Sequence, residues 1–245
     1  MSFFERLFCQ APLKLVVEQQ NEITALQDRN NAIVLDIAMR EKRISELEEK
    51  IEKFDDETPE AKKINKKWPK NKIQYRAQDG LKRDVRNLIF SKSYILDPES
   101  TKMRKAHKDD TMKSILSAVK RRLRYTPDQK THNQPEFWQN PEETWQTKKG
   151  DCEDGALLII SLARMAGIPA YRIKLCAGWV INAGKKIGHA YCIYLADDGQ
   201  WKVVDWCYFP TLSLKKPHKE LTDQYQEIWW TANDKYTWAQ KTTML

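Results

Sequence analysis

The chain has 245 residues, 41% of them apolar and 31% charged, with nine tryptophans and a formal net charge of +8. That length allows one medium catalytic domain plus an accessory region, and the apolar and tryptophan content fits a buried core. Cys9, Cys152, Cys176, Cys192 and Cys207 include no C-x-x-C pair, which argues against a secreted disulfide framework and for a reducing compartment such as the cytoplasm. The N-terminus, MSFFERLFCQAPLKL, lacks the apolar core of a signal peptide, and no stretch approaches a membrane span.

Residues 1–54 carry 8 basic against 10 acidic side chains, residues 55–108 carry 15 against 8, and residues 109–245 carry 19 against 16. The basic character therefore belongs mainly to the middle stretch. A solvated linker is the favoured reading there; nucleic acid is a less favoured partner for the same charge.

Residues 16–54 repeat every seven positions. The a sites are Val16, Ile23, Asn30, Ile37, Ile44 and Ile51, and the d sites are Gln19, Leu26, Ile33, Arg40, Leu47 and Phe54. Nine of these twelve are apolar and no Pro or Gly interrupts the run, so the spacing predicts a coiled-coil helix about 60 Å long. Ile at a with Leu at d leans toward two strands, and Asn30 fits a register-setting site. In a parallel pair Arg43 meets Glu48 and Lys50 meets Asp55, but Asp36 meets Glu41 with like charge. Self-association or a partner helix is expected here; folding back onto its own domain is the competing reading.

Residues 55–75 read as a linker: Thr58-Pro59 breaks the helix, and Lys62, Lys63, Lys66, Lys67, Lys70 and Lys72 repel one another. Trp68-Pro69 is a candidate anchor. A short helix is predicted around Val85, Leu88 and Ile89, then a turn at Leu96-Asp97-Pro98. Met112, Ile115, Leu116, Val119 and Leu123 recur at helical spacing and predict an amphipathic helix over 110–125. Residues 126–149 are loop-rich, and their Phe137, Trp138 and Trp145 line a cleft or cover the core.

Lys149-Gly150-Asp151-Cys152-Glu153-Asp154-Gly155 opens a helix, with Asp151 as cap and Asp154 as its return partner. The run from Ala156 to Ala166 is nearly all apolar, and Gly167 and Pro169 end it. A thiol at a helix N-terminus is favoured as thiolate by the dipole, and its own N–H can face an oxyanion. Asp151, Glu153 and Asp154 oppose that effect, so an imidazolium partner is needed. Strands follow over 171–180, 188–196 and 201–206, the last two joined by an Asp198-Gly199 turn. Counted outward from that turn, Leu195 lies near Lys202 and Tyr191 near Trp206. His189 and Asp205 then fall close enough to act as base and orienting carboxylate for Cys152. His107, His132 and His218 read as surface residues, and the aromatic stretch over 225–238 as mostly buried around an Asn233-Asp234 turn.

Gly-Asp-Cys152-Glu-Asp-Gly-Ala, Gly167-Ile168-Pro169-Ala170, Gly188-His189-Ala190-Tyr191 and Trp201-Lys-Val-Val-Asp205-Trp206 together resemble the transglutaminase-like superfamily. The nearest branch is the bacterial transglutaminase-like cysteine proteinases. The resemblance covers about residues 110–210. It implies an α+β, papain-like fold and a Cys152–His189–Asp205 triad, with Trp145 or Gln146 as upstream candidates for the oxyanion site.

The expected organisation is a coiled-coil segment over 1–54, a basic linker and short helical region over 55–108, and a cysteine catalytic domain over 109–245. The expected function is a thiol-dependent hydrolase of peptide or amide bonds working through an acyl-enzyme on a protein or peptide substrate. Protein cross-linking by acyl transfer is the second reading. The third is a structural or binding component of a larger assembly such as a phage particle. No cofactor or metal is expected, since no spacing of Cys152, Cys176, Cys192 and His189 matches a zinc motif.

Overall fold

The structure, a computed structural model, describes residues 3–66, 72–77, 81–208, 213–239 and 243–244. The Trp68-Pro69 anchor lies outside these, as does the side chain of Cys9. The chain divides into two units, Met1–Phe54 and Asp55–Leu245.

The first unit is the greater part of a single helix, α1 (Phe3–Glu57), with no Pro in its described middle and late turns to break it. Its apolar a and d residues from Val16 to Phe54 are all exposed. Arg40 bonds Asp36 at 2.8 Å and Arg43 bonds Glu46 at 3.3 Å along the helix surface. No described helix is long and apolar enough to cross a membrane.

The second unit takes in the last turn of α1, which Thr58 then interrupts. Its hydroxyl accepts the Ala61 N–H at 3.2 Å and so caps α2 (Pro59–Lys66), which opens on a proline as first turns permit. Ala61 is buried beside Tyr171 and Leu195. Next come β1 (Ile73–Arg76) and β2 (Lys82–Asp84), paired antiparallel, then a 3₁₀ turn over Val85–Leu88. Ile73, Val85, Leu88 and Ile89 join the main core. The expected linker is thus corrected: its described parts are packed structure, because Ala61 and Ile73 supply apolar anchors among the lysines. The expected turn at Leu96-Asp97-Pro98 is likewise the start of α3 (Asp97–Met103), where Pro98 occupies a first-turn position.

The amphipathic helix is α4 (Lys108–Arg122), burying Met112, Ile115, Leu116 and Val119. After it, β3 (Arg124–Tyr125), α5 (Asp128–Thr131), α6 (Pro141–Thr147) and β4 (Lys149–Gly150) occupy the loop-rich stretch, with β3 and β4 parallel. Trp145 is buried, and the Arg122 guanidinium lies 3.9 Å from its ring centre.

Helix α7 (Cys152–Met165) is the centre of the unit: every residue from Glu153 to Ala163 is buried. Gly167 ends it with φ +83°, a conformation glycine adopts without strain. Behind it stands an antiparallel sheet of β5 (Ile173–Asn182), β6 (Lys185–Leu195), β7 (Trp201–Val204), β8 (Tyr225–Ala232) and β9 (Thr237–Ala239), in the order β7-β6-β5-β8-β9. A last strand, β10 (Thr243–Met244), runs parallel to β1. Side chains alternate between sheet faces. Leu175, Ala177, Cys192 and Tyr194 share a core with α7, whereas Cys176, Val180, Tyr191, Ile193, Val203 and Tyr225 form a second core on the far face. Trp230 and Trp238 are fully buried, in keeping with the reading of the C-terminal aromatics.

Candidate active site

Helix α7 positions Cys152 at its first residue, just after the Asp151 cap. Asp154 accepts the Asp151 N–H at 3.1 Å, the return arm predicted from the spacing. Gln139, absent from the sequence reasoning, secures Asp154 further: its backbone N–H and side-chain amide reach the two carboxylate oxygens at 2.9 and 2.7 Å.

Strand β6 carries His189, and Asp205 follows β7. Their ladder is shifted from the counted register: Leu195 pairs with Trp201 and Tyr194 with Lys202. The turn spans Asp197 to Gln200, with Gly199 at φ +73° and Ala196 bonded to Gln200, which moves the register by one residue. The last ladder pair is Cys192 with Val204. Asp205 therefore lies one step beyond the ladder, where its side chain meets His189 Nε2 at 2.7 Å. Both residues are buried, at 1% exposure for Asp205 and 6% for His189. An ionised carboxylate only accepts, so Nε2 carries the proton of this bond and Nδ1 is left for chemistry.

Asp205 is held by more than its histidine. The Tyr225 hydroxyl donates to the same oxygen, Oδ2, at 2.8 Å. The backbone N–H groups of Cys207 and Tyr208 donate to Oδ1 at 3.2 and 3.3 Å. Ser213 clamps the backbone, accepting the Asp205 N–H at 3.0 Å and donating to its carbonyl at 2.9 Å. This clamp replaces ladder bonds that Asp205 lacks beyond the end of β7. None of these partners has a sequence spacing that announces it; long-range folding alone brings Tyr225 and Ser213 to Asp205.

The half-buried Cys152 opens the helix that packs against β6, the strand that carries His189. The thiol itself donates to Glu153 Oε2 at 3.1 Å. Burial pushes the Cys152 thiol well above its ordinary range; the negative charge of Glu153 and Asp151 adds to this.

Asp151 and Glu153 lie beside the thiol and join Asp128, Glu136 and Asp154 in a cluster of five carboxylates that the expectation of a metal-free site did not include. The ligand oxygens of Asp128, Asp151 and Asp154 lie within 4.8 Å of one another, as do those of Asp128, Glu136 and Glu153. Desolvation raises Asp151 to about 6 and Asp154 to about 7. Glu153 is raised well above the carboxylate range by burial and by Asp151. Asp128 Oδ1, Asp151 Oδ1 and Glu153 Oε1 are buried with no hydrogen-bond partner. These are hard oxygen donors of the kind that suit calcium.

Other expected site residues fall elsewhere. Trp145 is in the core and Gln146 is exposed on α6, so neither is brought to Cys152 by a described contact. His218 is half-buried against the Tyr191 hydroxyl at 3.2 Å, and His132 stacks on Phe137, so both differ from their surface reading. Aromatic neighbours supply the partners that a lone histidine in the sequence does not reveal. Trp138 packs between Tyr75 and Trp230 as core cover.

The model of the transglutaminase-like superfamily matches residues 97–206, from α3 through the residue after Asp205. Residues 97–206 form a transglutaminase-like domain. The match takes in Cys152, His189 and Asp205 and leaves α1 outside. Among solved structures, calcium-bound LapG of Legionella pneumophila is similar with TM-score 0.47 and 16% identity, over 59% of this chain and 75% of that one. EGTA-treated LapG gives 0.46 and 16%, over 58% and 72%. A protein of Cytophaga hutchinsonii, provisionally assigned as a cysteine protease, gives 0.38 and 19%, over 52% and 42%. A search of curated proteins finds no match.

Proposed function

We propose that the transglutaminase-like domain is a thiol-dependent hydrolase of peptide or amide bonds, with Cys152 as nucleophile, His189 as base and acid, and Asp205 as orienter. One observation carries the reading: His189 and Asp205 share a buried bond of 2.7 Å on the sheet against which α7, the helix that Cys152 opens, is packed. Asp205 fixes the tautomer that leaves His189 Nδ1 to accept the thiol proton. The thiolate then attacks the acyl carbon, and the Cys152 N–H, which at the first residue of α7 has no acceptor within the helix, faces the developing oxyanion. Collapse breaks the C–N bond, His189 returns the proton to the leaving amine, and a thioester remains. Water resolves it with the same imidazole as base. An amine acceptor in place of water would give the cross-linking reaction.

The acidic cluster shapes when this chemistry can start. With Asp151 and Glu153 beside it, the thiol holds its proton and donates it to Glu153. The unpartnered oxygens of Asp128, Asp151 and Glu153 fit a calcium ion, and the chain's own residues carry that reading. Its positive charge would lower the thiol's pKa. Without such charge the domain would serve as a binding module, the reading that the Cys152–Glu153 bond favours.

Alkylation with iodoacetamide across pH tests the proposal. Cys152 in the native chain is expected to react faster than Cys176, Cys192 and Cys207, faster still with calcium, and at least about tenfold slower in His189→Ala. Labelling of Cys152 no faster than of the buried Cys176 would falsify the nucleophile assignment.

A further inference from the structure

We propose that α1 pairs with α1 of a second copy of this chain, as a parallel, in-register, two-stranded coiled coil. This goes beyond the chemistry at Cys152 and does not depend on it. The nine apolar a and d residues between Val16 and Phe54 stand 43 to 73% exposed, a continuous stripe along one helix face. Such a stripe is covered by a matching one when helices supercoil.

The polar residues within the stripe decide the occupant. Parallel in-register pairing sets Asn30 against Asn30 and Gln19 against Gln19, and an amide both donates and accepts, so each layer satisfies itself. An antiparallel register that pairs Val16 with Leu47 instead faces Asn30 with Ile33 and Arg40 with Ile23. The register one heptad along faces Asn30 with Arg40, but it sets Arg29 against Arg43 and Asp36 against Asp36 at the flanking g sites. Polar layers complementary to themselves select a second copy of the same chain.

One repulsion stands against the parallel arrangement, Asp36 at g with Glu41 of the second copy at e. The structure supplies the counter-charge. Arg40, at d, already holds Asp36 at 2.8 Å from its Nε. A d side chain in a parallel pair packs into a hole bordered by the e residue of the other helix, here Glu41. The guanidinium therefore stands between the two carboxylates and converts a repulsive contact into a shared one. The same pairing to Asp36 tempers the two Arg40 side chains facing each other. One heptad on, Arg43 meets Glu48 with opposite charge.

Light scattering on the full chain under reducing conditions tests the pairing. It is expected to give twice the chain mass of 28.9 kDa. Ile37→Asp, inside the stripe, is expected to give the single-chain mass; Leu35→Asp, at an outer f site, is expected to keep the dimer. Mild oxidation of Ile23→Cys is expected to yield a disulfide joining residue 23 of both copies, identified by peptide mapping. A wild-type mass of one or three chains overturns the proposal, as does a dimer that survives Ile37→Asp. Failure of residue 23 to join itself, with a 23-to-47 link forming in Ile23→Cys/Leu47→Cys, would establish the antiparallel arrangement in its place.

Discussion

Tyr225 and His189 share one carboxylate oxygen of Asp205, and that shared oxygen sets how firmly the imidazole is held. The tyrosine is fully buried and lies 20 residues beyond Asp205, on β8. A hydrogen bond to a charged group contributes about 1.5–3 kcal/mol, and each 1.4 kcal/mol is about a factor of ten in rate. Tyr225→Phe is therefore expected to lower the Cys152 alkylation rate about tenfold and to shift its pH profile, with the fold retained by circular dichroism. Asp205→Asn, which can present a donor to Nε2 and reverse the tautomer, is expected to reduce hydrolysis by roughly 10²–10⁴-fold. Equal rates in wild type and Asp205→Asn would remove Asp205 from the mechanism. The histidine and aspartate were legible from the G-H-A-Y and V-V-D-W runs. Tyr225, Ser213 and Gln139 were not, because no local rule ties a residue to a partner brought up by a different strand or loop.

At the scale of elements, the start of α7 is built around the absence of one side chain. A Cβ on Gly155 would lie 2.0 Å from Trp206 Nε1, so the indole of the residue after Asp205 occupies that space. Two effects compete in Gly155→Ala. Alanine is the better helix former by about 1 kcal/mol, whereas overpacking a core costs about 1–3 kcal/mol. Packing is expected to win, because the obstructing group is a ring wedged in a buried site rather than the tip of a flexible chain. The urea midpoint should fall and Cys152 labelling should slow as Trp206 drags Asp205. A midpoint that rises would mean the indole moves aside freely. Deeper in the same helix, Leu158→Ala is expected to cost about 2–5 kcal/mol, as its side chain has no exposure. The helix, its cap and its glycine stop followed from residues 150–169 alone. The hairpin register did not, since the Ala196–Gln200 bond places the turn one residue from the count made on Asp198-Gly199.

For the whole second unit, the acidic cluster couples stability to pH. Asp151 at about 6 and Asp154 at about 7 lie above the ordinary aspartate value of about 3.9. The folded state then binds more protons than the unfolded one between those limits. Their contribution is fully present below about pH 4 and is lost as pH rises through about 7. Urea midpoints are expected to decline from pH 5 to pH 8, by an amount equivalent to a few kcal/mol, and Asp151→Asn should flatten the slope. Calcium, binding the ionised cluster, should raise the midpoint more at pH 7.5 than at pH 5. A midpoint that climbs over this range, or that ignores calcium, would count against both the protonated cluster and its use as a cation site.

Taken over the whole chain, the sequence by itself determined the long heptad helix, the cysteine at a capped helix start and the histidine on a strand, whereas Asp205, expected on the next strand, lies just past its end. These rest on periodicity, capping and turn chemistry, which act over a few residues. Tertiary structure alone decided that Ala61 and Ile73, within the stretch read as a linker, are buried. It also decided which donors hold Asp205, and that five carboxylates separated by up to 26 positions form one cluster, two of them beside the thiol. Desolvation and charge repulsion depend on distance through space. The acidic neighbours adjacent to Cys152 were visible in its motif, whereas the burial that raises them and the thiol exists only in the folded unit.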